Sequence, residues 1–361
     1  MTTLSFWVEI ARVSGISGTD DSGFSLKTTT DHKPATLHDV ARAAGVSAIT
    51  ASRALGNPAV VSARTIEKVR LAVEATGYRP NLLAGGLRSR RSMTVAALVP
   101  AIAVQQFLPT VQALTQTLGD AGYQVVLGQA GYDHAREEAL LDALLGRQPD
   151  GIVVTGLVHS TRMREALRRL RVPVVETWDL TDAPVDMLVG FSHREVGKAV
   201  AGFLRDKGWT RVGLATGDDQ RARERCQGFR AAFDGPVPMA VVPAPSSLAL
   251  GRRVLGELLA RAPALQAVFC SSDTLAQGVM VEAQARGLRV PQDLAVCGFG
   301  DADFAAHVLP SLSTVQIDGA GIGRRAAEFV LQRCRGQEVR QQVVDIGFRI
   351  VDRASTGGVL V

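Results

Sequence analysis

The hydrophobic positions between residues 36 and 77 recur at the spacing of short α-helices. In "LHDVARAAG" the apolar residues fall on one helical face, after Thr36 as N-cap and before Gly45, which permits a tight turn. The segment "SAITASRAL" follows with Ser47 as its cap. A third segment, "SARTIEKVRLAVEATGY", begins at its cap Ser62 and ends near Gly77. The pattern predicts a bundle of three helices.

The second of these helices has an inward and an outward side. Ala51 and Leu55 are predicted to face the first helix. The outward positions near its start are then Ala48, Ile49, Ser52 and Arg53. A helix that follows a tight turn and presents such side chains, with an arginine among them, suits base edges in the major groove of DNA. The segment therefore predicts a DNA-binding helix-turn-helix.

A different pattern begins near residue 94, where apolar runs alternate with helical periods. The runs with the character of buried strands are "TVAALVP", "YQVVLGQ", "DGIVVTG", "VPVVET", "RVGLATG", "AVFCSSD" and "LAVCGFG". Helical periods follow in segments such as "PTVQALTQTLGDAG", "HREVGKAVAGFLRDKG" and "DTLAQGVMVEAQARG". Parallel sheets covered by helices on both faces are predicted. Ligands of such sheets bind beyond the carboxyl ends of the strands.

Positive charge is concentrated near the predicted helical bundle. Residues 35 to 91 contain nine Lys and Arg residues and three acids, a net charge of +6, whereas the whole chain of 361 residues carries +5. A compact basic segment beside a nearly neutral body is typical of nucleic-acid binding, because neutralised phosphates release counterions. The charge pattern therefore supports the helix-turn-helix prediction.

Several classes of site are disfavoured by the sequence. The four cysteines form no C-x-x-C pair and have no metal-like spacing with the six histidines. G-x-S-x-G, H-E-x-x-H and P-loop motifs are absent. The run "TVQIDGAGIGRR" contains Gly319-x-Gly321, but Arg324 stands where a dinucleotide site needs its third glycine. We expect no enzyme activity, no metal and no cofactor.

The chain is expected to be soluble and cytoplasmic. Its apolar runs are shorter than the roughly twenty residues of a membrane span. The N-terminus lacks the basic-then-apolar pattern of a signal peptide. No membrane partner is predicted.

Residues 35 to 89 resemble, without gaps, the DNA-binding head of the lactose/galactose-repressor family of bacterial transcription factors. The matching stretch is "ATLHDVARAAGVSAITASRALGNPAVVSARTIEKVRLAVEATGYRPNLLAGGLRS". The resemblance implies phosphate contacts at Thr36, Ser47, Ser52, Ser62, Thr65 and Tyr78. It implies base contacts at Ala48, Ile49 and Arg53, and minor-groove contacts of a hinge helix at Ala84 and Leu87. Because Gly85 and Gly86 are poor helix formers, we expect this hinge to be disordered away from DNA.

The body is similar to periplasmic sugar-binding proteins, with two α/β subdomains that close over a small molecule. The resemblance implies that Arg225 in "RARERCQGFRAAF" grips an effector, with Ser272 and Trp178 also at the cleft. Phe107 and Gly300 complete the predicted effector site, and Gly300 replaces an Asp that many members use for a sugar hydroxyl. A surface ion pair remains the alternative for Arg225, and a core position the alternative for Trp178.

The predicted fold is an α/β two-lobed body of the periplasmic-binding-protein type with an N-terminal all-α helix-turn-helix head. The segments are a disordered extension without family counterpart (1–33), the head (34–80), a hinge helix and linker (81–91) and the effector-binding and dimerisation domain (92–357). Crossovers between the two subdomains are expected near residues 190, 315 and 343.

The predicted function is a homodimeric regulator that binds double-stranded operator DNA under the control of a small sugar or sugar acid, and its resemblance implies a repressor. The segments "VPVVETWDL" and "VDMLVGFSH" resemble the gluconate-repressor branch and, with Arg225, favour a sugar acid such as gluconate. A neutral sugar or a purine stays an alternative effector. From other classes, a cytoplasmic sugar-binding protein or enzyme would explain the body alone, and a nucleoid structural protein would explain the head alone.

Overall fold

The computed structural model describes residues 35–79, 91–102, 104–170 and 172–357. It divides the chain into two compact units with the boundary between residues 81 and 82. The predicted extension over residues 1–33 and the predicted hinge contacts Ala84 and Leu87 lie outside the described residues. The two units, here called the head and the body, are each described by themselves.

Over residues 35–79, the described part of the head, the chain forms a bundle of three α-helices. They are α1 (Leu37–Ala44), α2 (Ala48–Gly56) and α3 (Ala63–Thr76), with a short 3-10 turn at Pro58–Val60 before α3. The helices begin after the predicted caps, and α1 and α3 end at Gly45 and Gly77, whose positive φ angles of 65° and 64° suit glycine. The predicted three-helix pattern is confirmed.

The core of the head consists of small apolar side chains from all three helices. Its buried members are Val40, Ala41, Ala44, Ala51, Ala54, Val69 and Ala72. Ala51 faces inward as predicted, but Leu55 is 39% exposed and Ala54 is buried in its place. The prediction for Leu55 was wrong because the buried stripe of so short a helix is narrow enough for Ala51 and Ala54, three residues apart, to fill it.

The body contains two parallel sheets and a small antiparallel pair. Its strands are β1 (Thr94–Val99), β2 (Gln124–Gln129), β3 (Gly151–Thr155), β4 (Val174–Thr177), β5 (Met187–Gly190), β6 (Val212–Gly217), β7 (Met239–Val242), β8 (Ala267–Cys270), β9 (Ala295–Cys297), β10 (Thr314–Gln316), β11 (Val343–Asp345) and β12 (Arg349–Val351). All seven predicted strands are present. The short strands β5, β7 and β10 to β12 are additional to the prediction.

The helices of the body connect these strands. They are α4 (Leu108–Asp120), α5 (His134–Leu145), α6 (Thr161–Arg169), α7 (His193–Asp206), α8 (Gln220–Ala232), α9 (Leu248–Arg261), α10 (Asp273–Ala285) and α11 (Gly319–Cys334). Short 3-10 turns lie at Gln105–Phe107, Asp303–Ala306 and Ala354–Thr356. The alternation of strand and helix is the pattern that produces parallel sheets.

The two parallel sheets define two lobes. In lobe 1 the strand order is β11-β5-β4-β3-β1-β2, and in lobe 2 it is β7-β6-β8-β9. The chain passes from lobe 1 to lobe 2 after β5, and it returns so that α11 and β11 complete lobe 1. Strands β10 and β12 pair antiparallel beside these crossings. Lobe 1 is therefore built from two separate stretches of the chain.

Gly319 and Gly323 of the run "TVQIDGAGIGRR" serve helix packing. A Cβ on Gly319 would lie 3.1 Å from the Thr110 hydroxyl oxygen, and a Cβ on Gly323 would lie 2.3 Å from the Thr110 carbonyl oxygen. These contacts bring α11 close against α4. The run needs these two glycines for this approach.

The described residues contain no helix that is both long and apolar enough to cross a membrane. Within the same residues, no cluster of His, Cys, Asp and Glu side chains has the arrangement of a metal site. The four cysteines have free thiols, and three of them are buried.

Candidate functional sites

The outward face of α2 presents the predicted base-reading residues. Ile49 is 66% exposed and Arg53 is also exposed, whereas Ala48 and Ser52 are half-buried. Arg53 has no ion pair with any residue in the described part of the chain, although the nearby Arg42 pairs with Asp39. An exposed apolar side chain beside an arginine without an ion pair suits a thymine methyl next to a hydrogen-bond acceptor.

Hydroxyl side chains cap all three helices of the head. Thr36, Ser47 and Ser62 accept hydrogen bonds from the backbone N–H groups of Asp39, Thr50 and Thr65, at 3.4, 3.1 and 3.4 Å. Each cap leaves other N–H groups of the first turn unpaired and exposed, where the helix dipole favours an anion. The predicted phosphate contacts therefore lie at helix N-termini, except Ser52 and Tyr78. Tyr78 packs half-buried against the core of the head.

The body contains a cavity of about 340 Å³ beyond the carboxyl ends of the strands of lobe 2. Residues that follow β6, β7, β8 and β9 line it, together with residues that follow β1 and β2 of lobe 1. Arg225, Ser272 and Gly300 are among the lining residues. The structure thus brings three of the five predicted effector residues together. We call this space the arginine cavity.

Arg225 lies on α8 and is only 3% exposed. Its Nη1 contacts His193 Nδ1 at 2.8 Å, its Nη2 donates to the Ser271 carbonyl oxygen at 3.0 Å, and its guanidinium lies 3.9 Å from the Phe299 ring centroid. Its Nε is buried without a hydrogen-bond partner. Burial lowers the pKa of Arg225 to about 10, so the side chain stays charged at neutral pH. Arg225 is therefore not part of a surface ion pair, which was the alternative interpretation.

Close packing of α7 on α8 fixes the place of Arg225. A Cβ on Gly197 of α7 would lie 2.0 Å from the Arg225 carbonyl oxygen, and a Cβ on Gly228 of α8 would lie 2.0 Å from the Arg194 carbonyl oxygen. Only glycine permits this backbone contact. The two helices hold the first residue of α7, His193, against the Arg225 side chain.

Residue 300 of the arginine cavity is glycine and contributes no side chain. Its φ angle is 127°, a region that side chains rarely adopt. A Cβ there would lie 3.5 Å from Gln106 Oε1 and 3.7 Å from Asp273 Oδ2. The neighbouring lining residue Ser272 has a structural role as the cap of α10, where its hydroxyl oxygen accepts from the Leu275 N–H at 3.2 Å. The positive φ angle of Gly300 is the reason that the loop after β9 requires glycine at this position.

Trp178 and Phe107 are not among the residues that line the arginine cavity. Both are buried, with ring centroids 5.0 Å apart in an edge-to-face arrangement. Trp178 Nε1 donates to the Thr110 hydroxyl oxygen at 2.9 Å, and that hydroxyl donates to the Gly319 carbonyl oxygen at 2.8 Å. Trp178 was predicted either to line the cleft or to lie in the core, and it lies in the core. Phe107 is likewise a core residue.

Sequence reasoning missed Arg221, which lies one turn before Arg225 on α8. Arg221 and Asp219 line both the arginine cavity and a neighbouring space of about 430 Å³, which Asp179 also lines. Its Nη1 donates to the carbonyl oxygen of Thr155 in lobe 1 at 3.3 Å. The spacing of four residues from Arg225 was the available signal, because such residues share a helical face.

The chain matches two family models. Residues 36–81 match the model described as bacterial regulatory proteins, lacI family, and residues 201–356 match a periplasmic binding protein-like domain. The transcriptional regulator GntR of Pseudomonas aeruginosa is 38% identical over 335 residues, which cover 91% of this chain and 97% of that relative.

Two solved structures extend these similarities. The crystal structure of the transcription regulator GntR from Chromobacterium violaceum has a TM-score of 0.71 and 36% identity, covering 73% of this chain and all of that one. The Lac repressor dimer, bound to operator and the anti-inducer ONPF, has a TM-score of 0.79 and 25% identity, covering 91% of this chain and all of the other. Both the head and the two-lobed body are therefore shared with known regulators.

Proposed function

Because the chain belongs to the lacI family of bacterial regulatory proteins, we propose that it is a repressor whose operator affinity is controlled by a sugar acid such as gluconate. The protein is a DNA-binding transcriptional regulator, as are the relatives named above. The repressor role, the effector and the site residues are our proposal. No enzymatic step is assigned to the body.

The observation that carries the effector class is the environment of Arg225. This arginine is buried at the arginine cavity, its hydrogen-bond partners are uncharged, and its Nε is unpaired. Asp219, which also lines the cavity, and Asp179 act on Arg225 through their charge without a hydrogen bond to it. A carboxylate is the ligand group that satisfies a buried guanidinium best, because two parallel hydrogen bonds and the opposite charge combine. Gly300 adds no acid to the two, Asp219 and Asp273, that already line the cavity.

The other lining residues suit the rest of such a molecule. They include the polar residues Gln105, Gln106, Ser246, Thr274 and Gln277, and the carboxylates Asp219 and Asp273, which can accept from hydroxyl groups. Amide and hydroxyl groups both donate and accept hydrogen bonds, as the hydroxyls of a polyol chain require. A volume of about 340 Å³ is at the lower end of the range for small-molecule sites, which fits a six-carbon acid.

The head is proposed to read one half-site of operator DNA, and a homodimer to read two. A helix-turn-helix of this size contacts few base pairs, and the solved Lac repressor is a dimer on its operator. We assign base contacts to Ala48, Ile49 and Arg53. We assign phosphate contacts to Thr36, Ser47, Ser52, Ser62, Thr65 and Tyr78. The protein would act in the cytoplasm, where the operator is.

Titration calorimetry of the full-length protein tests the effector with gluconate, 2-ketogluconate, galactose and a purine. We expect heat from a sugar acid, and we expect the same acid to change the affinity for an operator selected from random oligonucleotides. Arg225→Ala should abolish both effects and leave DNA binding unchanged. Arg230→Ala, which removes an exposed charge from the same helix, is the matched control. Heat from galactose or the purine alone would contradict the proposal.

A further inference from the structure

His193 is a buried histidine that the proposed effector contacts do not include. It is the first residue of α7, it is 2% exposed, and its two ring nitrogens face different partners. Nδ1 lies 2.8 Å from Arg225 Nη1, and Nε2 lies 2.9 Å from the Trp178 carbonyl oxygen. The ring also packs edge-to-face on Phe191, at 4.7 Å between centroids. Each ring nitrogen of His193 therefore has a polar partner.

The partners of the imidazole determine where its proton is. A carbonyl oxygen can only accept, so Nε2 must carry the hydrogen and donate it to Trp178. A guanidinium can only donate, so Nδ1 must accept from Arg225 with its lone pair. The imidazole is neutral, and burial followed by the charge of Arg225 holds its pKa well below the usual value.

Because His193 is neutral, it does not offset the positive charge of Arg225. All hydrogen-bond acceptors of the guanidinium in the described residues are uncharged, and its face lies on the Phe299 ring. An acidic residue in place of His193 would hold the arginine equally well but would cancel its charge. With a neutral acceptor, the orientation of Arg225 is fixed and the charge stays available. A buried charge interacts more strongly with an opposite charge than an exposed one does.

The position of His193 is itself fixed from lobe 1. Trp178, whose carbonyl accepts from His193, has a φ angle of 63° and is held by the hydrogen bond from its Nε1 to Thr110. Thr110 in turn donates to the Gly319 carbonyl. This chain of buried hydrogen bonds reaches α4 and α11, so the imidazole cannot turn without breaking contacts in lobe 1. Such support is what holds a binding side chain in one orientation.

We propose that His193 is the residue that makes the arginine cavity selective for anions, because it orients Arg225 through a neutral acceptor and leaves the guanidinium charge for the carboxylate of the effector. The inference rests on the proposed function, in which Arg225 binds a sugar acid. His193 acts through Arg225 and is a positioning residue.

The test compares His193→Asn with His193→Asp in the full-length protein. The two replacements have the same shape, and both place an oxygen on Cγ where it can accept from Arg225. They differ in charge. We expect His193→Asn to bind gluconate within about tenfold of wild type, and His193→Asp to lose at least about a hundredfold, by calorimetry. Equal losses in both variants would reduce His193 to a packing role, and undiminished binding in both would also overturn the proposal.

A second pair keeps the proposal testable if His193→Asp does not fold. Sorbitol is a neutral counterpart of gluconate, so the ratio of the two affinities measures anion selectivity. We expect His193→Asn to keep this ratio and His193→Leu, which has no acceptor for Arg225, to lower it. The same ratio in both would refute the positioning role. If wild type itself bound galactose but no acid, the proposed function would fail, which is a distinct result from failure of the His193 variants.

Discussion

The contact between α7 and α8 predicts that a single methyl group will damage both the body and the effector site. Gly197→Ala would place its Cβ 2.0 Å from the Arg225 carbonyl oxygen and 2.6 Å from the Phe229 backbone nitrogen. Real Cβ atoms do not approach closer than 3.0 Å, so the helices must separate by about 1 Å at this turn. Overpacking of this kind costs about 1–3 kcal/mol of stability.

The same displacement acts on Arg225. Its 2.8 Å contact with His193 would lengthen by about 1 Å, beyond the range of a hydrogen bond. A displaced guanidinium would lose a hydrogen bond to the carboxylate, and a hydrogen bond to a charged group is worth about 1.5–3 kcal/mol, so we expect gluconate affinity to fall at least about tenfold. Stability and affinity should therefore decline together.

The control is Gly202→Ala on the same helix. The nearest atom to a Cβ at this position is Arg205 Nη2 at 3.8 Å, which leaves room for the methyl group. Alanine should then add about 0.5–1 kcal/mol of stability through helix propensity. Urea unfolding followed by circular dichroism measures both variants, and calorimetry measures gluconate binding. The packing argument would be refuted if Gly197→Ala were as stable as Gly202→Ala.

Three further predictions concern other parts of the chain. Arg53→Ala should cost about 1–3 kcal/mol of operator binding and less on random DNA in gel-shift titrations, and equal losses would make Arg53 a phosphate contact. Thr110→Val should cost about 1–3 kcal/mol in urea unfolding because it leaves Trp178 Nε1 without an acceptor, and Thr110→Ser, which keeps the hydroxyl, should not. Burial raises the pKa of Asp179 to about 6, above its unfolded value of 3.8, so its protonated form favours folding and this stability is lost as the pH rises through 6. Asp179→Asn should therefore gain stability relative to wild type between pH 4 and 7, and a constant difference would contradict the assignment.

The elements of both units could be predicted because their signals are local. Caps such as Ser47 and Ser62, apolar periodicity and buried runs predicted the helices of the head and the seven main strands of the body. Leu55 was misplaced because helical spacing alone does not tell which of two adjacent apolar residues a neighbouring helix covers.

The effector cavity was only partly predictable from sequence. The family resemblance located Arg225 by the motif "RARERCQGFRAAF" and Gly300 by its place after a predicted strand. The burial of Trp178 and the tautomer of His193 depend on contacts with Thr110 and Gly319, which lie far away in the chain. Such long-range contacts produce no local pattern in the sequence.

The return of the chain to lobe 1 has a consequence for the order in which the protein forms on the ribosome. The head needs only contacts within residues 35–79 and can fold as soon as it emerges. Lobe 2 follows from a continuous stretch, but lobe 1 must wait for α11 and β11, although its first strand was made long before. During that interval the apolar side chains of lobe 1 that α11 covers are open to water, chaperones and proteases. A nonsense codon before residue 319 would therefore release a finished head on an unfinished body, which quality control can recognise by that uncovered face.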